Sequence, residues 1–251
     1  MTAQGKEGKG QRMKKGDARR EELLRAAERL FYTKGYERTS VQDILDEIGF
    51  SKGGFYHHFD SKLAVLEAIC DLRAQESFEQ ARLIVDKTQG SAVDRLNALL
   101  HHAPLWHSDN RSFVSLLIRV AYCGDGALMR EKMKQSQMES MLPVMEQVLM
   151  NGVERGEFFL ADVSMHAELL LRLYMQFSDE IAFLLAKEER EEQLTEAMVR
   201  KLGVYRCAIE RMLLAPFGSI VLFEARELQL LGQAVLRDRT RERADALLGG
   251  A

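Results

Sequence analysis

Proline is almost missing from this chain: 251 residues hold three, at positions 104, 143 and 216. Proline removes a backbone donor and breaks helix interiors, so its scarcity leaves long stretches free to be helical. Apolar residues recur at helical spacing along nearly all of them. The spacing predicts helices near 61–86, 92–106, 111–123, 127–151, 161–186, 190–214 and 219–246, after a compact N-terminal group. The Asn151-Gly152 pair ends a helical run instead of joining two alternating strands. Ser219-Ile220-Val221-Leu222-Phe223 has the composition of a strand, but a lone strand has no partner for its backbone, and a helix from Ser219 is expected. The fold class is all-α, a three-helix N-terminal head on a larger helical-bundle body.

Two function classes recede early. No stretch approaches the roughly 18 apolar residues of a spanning helix, and no apolar block precedes Leu23 as a secretory leader requires, so a cytoplasmic protein is expected. Cys70, Cys123 and Cys207 are far apart and form no Cys-x-x-Cys pair. They read as small buried residues, not as a disulfide or zinc framework. Charge is uneven: residues 1–62 carry +3 and residues 63–251 carry −6. A basic end on an acidic body suits presentation to a polyanion. Residues 1–16 hold five Lys/Arg and no Leu, Ile, Val or Phe, too little apolar surface to offset ordering entropy, and read as a disordered basic tail.

From Asp17 the pattern changes. Leu23, Leu24, Ala27, Leu30 and Phe31 recur at helical spacing until Gly35. A hydroxyl-led capping box in Thr39-Ser40-Val41-Gln42-Asp43 opens a short helix with Val41, Ile44, Leu45 and Ile48 facing in. Gly49 supplies the left-handed turn, Phe50 follows as a buried plug, and Ser51 caps a second short helix through Phe59. Two short helices hinged at a glycine make a helix-turn-helix over 40–59, within a head spanning 17–77. Phe50, Phe55 and Phe59 anchor the second helix, whose other face holds Lys52, Gly53, Gly54, Tyr56 and His57. Two adjacent glycines weaken a helix and suggest that close approach of a backbone matters more there. Hydroxyls of Thr39, Ser40 and Tyr56 and the charge of Lys62 suit phosphate. Lys62 also reads as an ordinary solvated lysine, and Gly53-Gly54 as a loop.

The run from Thr39 through Ser-Val-Gln-Asp-Ile-Leu-Asp-Glu-Ile-Gly-Phe-Ser-Lys-Gly-Gly-Phe-Tyr-His-His-Phe-Asp-Ser to Lys62, with Leu24, Ala26, Ala27, Leu30, Phe31, Gly35 and Tyr36 before it, closely resembles the head of TetR-family (tetracycline-repressor-like) regulators. The likeness covers about residues 17–77. It implies a recognition helix from about Lys52 to Phe59 and phosphate contacts from Thr39, Tyr56, His57 and Lys62. The full DNA-binding set expected is Thr39, Ser40, Val41, Ser51, Lys52, Gly53, Gly54, Tyr56, His57 and Lys62. Many members carry a small hydroxyl or methyl side chain where this sequence has Gly54, which leaves Lys52 as the best direct reader of guanine acceptors.

The resemblance further implies a body, 78–251, that binds a small-molecule effector and dimerises. His102, Trp106, His107, Phe113, Arg119, Tyr122, Met141, Met145, Tyr174 and Phe177 are the candidate pocket residues. Met129, Met133, Met138, Met141, Met145 and Met150 follow one broad side of a helix, as core or as pocket wall. The nearly all-apolar Leu169–Phe177 run and the Leu194, Met198, Leu202, Tyr205, Ile209, Leu213 stripe are the candidate dimer contacts, through helices near 161–186 and 190–214. No metal is expected: His57 and His58 diverge on a helix, and His101, His102 and His107 have neither helical pair spacing nor an acidic partner. No cofactor beyond the unknown effector is expected. No nucleophile elbow, phosphate loop or His-Glu-x-x-His motif suggests an enzyme. The expectation is a ligand-responsive repressor acting as a homodimer on a pseudo-palindromic DNA operator. An activator or a ligand-independent regulator with the same head is the alternative.

Overall fold

In a computed structural model of the chain, residues 15–102, 111–122, 127–188 and 190–248 are described. The basic tail before Lys15, Trp106 and His107 lie outside the described residues, as do the side chains of His102, Phe113 and Arg119. Among the described residues ten α-helices appear in order: α1 Lys15–Thr33, α2 Val41–Ile48, α3 Lys52–His58, α4 Lys62–Lys87, α5 Ala92–His102, α6 Arg111–Leu117, α7 Ala127–Glu154, α8 Val163–Lys187, α9 Glu191–Leu213 and α10 Ala225–Leu248. Helix α6 runs into a π-helical turn, Ile118–Tyr122. No strand occurs among the described residues, and no described helix is long and apolar enough to cross a membrane. The chain divides into two compact units, one ending at Ile69 and the other beginning at Cys70.

The first unit is small and its core is correspondingly simple. Leu23, Leu24, Ala26, Ala27 and Phe31 of α1 meet Ile44 and Leu45 of α2, Phe55 of α3, and Val65, Leu66 and Ile69 of α4. Leu23, Leu24, Ala27, Phe31, Ile44 and Leu45 are positions that the helical spacing marks in the sequence, whereas Leu30, Val41 and Ile48 are only half-buried. Burying side chains of this kind is worth about 1.5–3 kcal/mol each, enough to hold three short helices that would be marginal alone.

In the second unit α8 is the central element, packed by α7, α9 and the π-helical turn, while α10 lies on α9, α6 and α8. Leu170, Leu171, Tyr174, Met175, Phe177, Ile181 and Leu185 are buried there, so the apolar character of α8 on several sides serves this chain's own core. The α9 stripe is a correction of the same kind. Leu194, Met198, Leu202, Ile209 and Leu213 face inward, and what α9 leaves exposed is Val199 and Val204. The α7 methionines do not share one side either: Met141 and Met145 are buried, whereas Met150 is 46% exposed. Helix α7 also continues three residues past Asn151. Gly152 is needed there for contact and not as a stop, because a Cβ at that position would lie 2.3 Å from the buried Phe158 ring.

The largest correction concerns residues 219–224, which form no helix and bend at Leu222, with α10 starting only at Ala225. Ile220 and Leu222 are buried alternately, as in a strand. The missing partner strand is replaced by side chains. The Glu210 carboxylate accepts from the amides of Gly218 (2.8 Å) and Ile220 (3.2 Å). Asn97 of α5 bonds in both directions, donating to the Ser219 carbonyl at 2.7 Å and accepting from the Val221 amide at 2.9 Å. Backbone groups satisfied this way no longer need a helix or a ladder.

Candidate nucleic-acid interface

The geometry of the helix-turn-helix follows from its caps. Ser40 is the N-cap of α2: its hydroxyl accepts from the Asp43 amide, and the Asp43 carboxylate accepts from the Ser40 amide at 2.7 Å, a closed capping box. Lys34 adds an ion pair to Asp43 at 2.7 Å. The Lys34 ammonium first, then the Ser40 amide and hydroxyl, hold the Asp43 carboxyl well below the usual carboxylate range. A carboxylate with a lowered pKa stabilises the fold above its unfolded value, about 4, and the contribution is lost as pH falls through the folded value. Melting of the head should therefore weaken on acidification below about pH 4, and Asp43→Asn should show a shallower acid slope by circular dichroism. Equal slopes would remove this cap from the account.

Helix α2 ends at Gly49, which is left-handed at φ 62°, ψ 38°, with its N–H donating to the Leu45 carbonyl. Ser51 then caps α3, accepting from the Gly54 amide at 3.1 Å. Phe55 and Phe59 are buried beneath α3. Since each helical residue turns the chain by about 100°, the residues facing away from those rings are Gly53 and His57, with Lys52 and Tyr56 also exposed. Tyr56 is 51% exposed. The expected reading surface is thus open along α3.

Several expected residues are committed to structure instead. Thr39 is buried, and its hydroxyl donates to the carbonyls of Gly35 (2.8 Å) and Leu30 (3.3 Å), closing the end of α1. That corrects the expectation of a free phosphate-binding hydroxyl. The hydroxyls of Ser40 and Ser51 are likewise spent on caps. Val41 opens α2 half-buried. Lys62 donates from Nζ to the Tyr36 carbonyl at 2.7 Å and stands 4.2 Å above the Tyr36 ring. Tyr36 in turn meets Phe31 edge-to-face at 5.1 Å, and burial, with Glu37 and Glu67 nearby, pushes its phenol up to about 12. Lys62 therefore ties the start of α4 to the α1–α2 turn, which the sequence offered no way to see. Loss of a charge-assisted bond of this type costs about 1.5–3 kcal/mol, so Lys62→Met should lower the melting temperature of the DNA-free head, and a wild-type melting curve would argue against the clamp.

Gly54 also differs from expectation. A Cβ there would lie 2.7 Å from Phe50 Cε1, so its bareness makes room for the Phe50 ring, whereas Gly53 has open space around it. Phe50 itself is partly exposed and not a buried plug.

In the second unit, Tyr174, Phe177 and Met145 are fully buried. A cavity of about 40 Å³ between α4 and α7 is lined by Met141 but by none of the other expected pocket residues, and Cys70, Asp71 and Met133 also border it. Tyr122 donates to Asp179 at 2.8 Å, and Lys134 donates to the other Asp179 oxygen at 2.8 Å. Arg130 lies over the Tyr122 and Phe183 rings. Burial and the Asp179 charge push the Tyr122 phenol well above its ordinary range. The sequence signal for this network was the adjacent acids Asp179 and Glu180 in a mostly apolar stretch of α8.

Residues 23–69 match the tetR family of bacterial regulatory proteins. The transcriptional repressor KstR2 of Mycobacterium tuberculosis is 30% identical over 152 residues, which cover 57% of this chain and 70% of that protein. The chain belongs to the tetR family. Among other tetR-type relatives, the uncharacterised transcriptional regulator YerO of Bacillus subtilis is 27% identical over 158 residues, 62% of this chain. The chain spans 55% of the length of that relative. A tetR-family regulator from Pectobacterium atrosepticum has the same fold, with a TM-score of 0.55, 21% identity and coverage of 80% of this chain and 97% of its own. These relatives are transcriptional regulators.

Proposed function

We propose that this tetR-family protein is a sequence-specific DNA-binding transcriptional regulator that acts as a ligand-responsive repressor. The observation that carries the reading is the α2–Gly49–α3 arrangement, in which a buried aromatic underside leaves Lys52, Gly53, Tyr56 and His57 outward. In this reading α3 enters the major groove with its N-terminal residues at the base edges. Lys52 donates to guanine acceptors, and Tyr56 and His57 bind phosphate. Ser40, Val41 and Ser51 bring helix N-termini near the backbone, Thr39 fixes the α1–α2 turn, and Lys62 offers its remaining donors to phosphate. The similarity to KstR2, itself a repressor, supports the negative sign of regulation.

The regulator acts as a homodimer through the faces of α8 and α9 left uncovered in one chain, where Met165, Leu169 and Val204 are exposed. Two heads then occupy successive major grooves about 34 Å apart on a pseudo-palindromic operator. A small molecule bound within the body favours a conformer with the heads at another spacing, which requires differential affinity for the two conformers. The residues proposed to bind it are Tyr122, Met141, Met145, Tyr174 and Phe177, together with His102, Trp106, His107, Phe113 and Arg119 on the strength of the sequence alone. Gel shifts on DNA flanking the protein's own gene test the reading. Salt-sensitive retention of one duplex over scrambled competitors is expected; equal retention of all duplexes overturns it. Sedimentation of the free protein tests the dimer, where a monomer at micromolar concentration is the adverse result.

A further inference from the structure

Phe50 occupies an unusual place for a turn residue. Its ring reaches forward along the recognition helix until Cε1 lies 2.7 Å from where the Cβ of residue 54 would be, with Cδ1 at 3.2 Å. The ring also packs against His58 at 6.3 Å between centroids, and the Arg19 guanidinium of α1 sits 6.0 Å from its centre. Phe50 therefore covers the flank of α3 formed by Gly54 and His58, beside the outward Gly53 and His57. It remains partly exposed there. A side chain at residue 54 would require the ring to shift from this position, so the bare Gly54 and the Phe50 ring fit one another.

The position matters because residues at the N-terminus of a recognition helix are those that meet base edges. Gly54 has no side chain to offer, and what fills its place is an aromatic edge without hydrogen-bonding groups. Apolar contact in the major groove selects the thymine 5-methyl group. We propose that Phe50 is a specificity-determining residue, its ring supplying at the Gly54 flank an apolar surface that reads one thymine methyl per half-site. This rests on the DNA-binding reading above and adds a base contact to it.

The experiment has two stages, both on the full chain. Selection from a random-sequence duplex library first tests DNA binding itself; failure to enrich any sequence overturns the DNA-binding reading and this proposal together. Each thymine in the enriched duplex is then replaced singly by deoxyuridine, which removes only the methyl group. At one position per half-site wild-type affinity should fall about four-fold, the scale for one buried methyl. 5-Methylcytosine placed there in a cytosine-bearing duplex should recover part of the loss. The same scan with Phe50→Val should be flat at that position. A paired variant, Phe50→Val with Gly54→Thr, refills the flank from the helix itself and guards against simple misfolding, with its melting curve as control. No methyl-sensitive position, or sensitivity that survives in a folded Phe50→Val protein, overturns the assignment while leaving DNA binding intact.

Discussion

Glu210→Ala is expected to lower the stability of the body by about 3 kcal/mol, because a buried donor left without an acceptor, here the Ile220 amide, costs up to about 3 kcal/mol. The Glu210 side chain is almost fully enclosed. Its Oε1 is the acceptor for Gly218 and Ile220, and the Arg206 Nε lies 3.8 Å away. Removing the carboxylate strands the Ile220 amide in the interior and frees the segment that delivers Ile220 and Leu222 to the core. For a unit of this size each kcal/mol moves the midpoint by about 2–4 °C, so a drop of about 10 °C is expected by calorimetry. Glu210→Gln retains an acceptor oxygen and should lose less than half as much. A Glu210→Ala protein melting within experimental error of wild type would show that the segment holds by apolar burial alone.

Gly49→Val should disable DNA binding without touching the body. At φ 62° and ψ 38° the residue occupies left-handed space, which costs an L residue about 1–2 kcal/mol and a β-branched one more. The turn relieves that strain either by unwinding the end of α2, which frees the Gly49 and Phe50 amides now donating to the Leu45 carbonyl, or by rotating α3. Both displace the reading surface. About 2 kcal/mol of strain corresponds to a loss of about 30-fold in affinity, measurable by fluorescence anisotropy. Gly49→Asn is the control, since asparagine tolerates this conformation and should keep most of the affinity. A Gly49→Val protein that binds as wild type would mean the turn does not set the angle of α3.

Much of the head was legible because its determinants are local. Capping hydroxyls, a glycine at the turn and apolar residues at helical spacing each act within four or five positions, and Ser40 with Asp43, Gly49 and Ser51 stand in the structure as their chemistry requires. The side-chain commitments were not legible, because they cross from element to element. Thr39 turned inward to the carbonyls of α1, Lys62 folded onto Tyr36 twenty-six residues back, and Gly54 proved to be the seat of Phe50. Nothing in a residue's type says whether its hydroxyl or ammonium is free or already occupied. In the body, periodicity marked the α9 stripe as apolar, but only packing decided that it faces α8 and α10 in the same chain.

Residues 219–224 separate the two kinds of information most clearly. Their strand-like composition was plain, and from the sequence alone a strand without a neighbour had to be rejected, since backbone groups must be paired. The tertiary fold supplied the pairing from Glu210, ten residues before Ile220, and from Asn97, more than a hundred residues away. By itself, then, the order of amino acids determined the helical class and the turn geometry, both of which depend on short-range periodicity and capping. Which polar groups are spent inside and which face outward was decided by contacts between distant segments, because a hydrogen bond forms only where folding brings its donor and acceptor together.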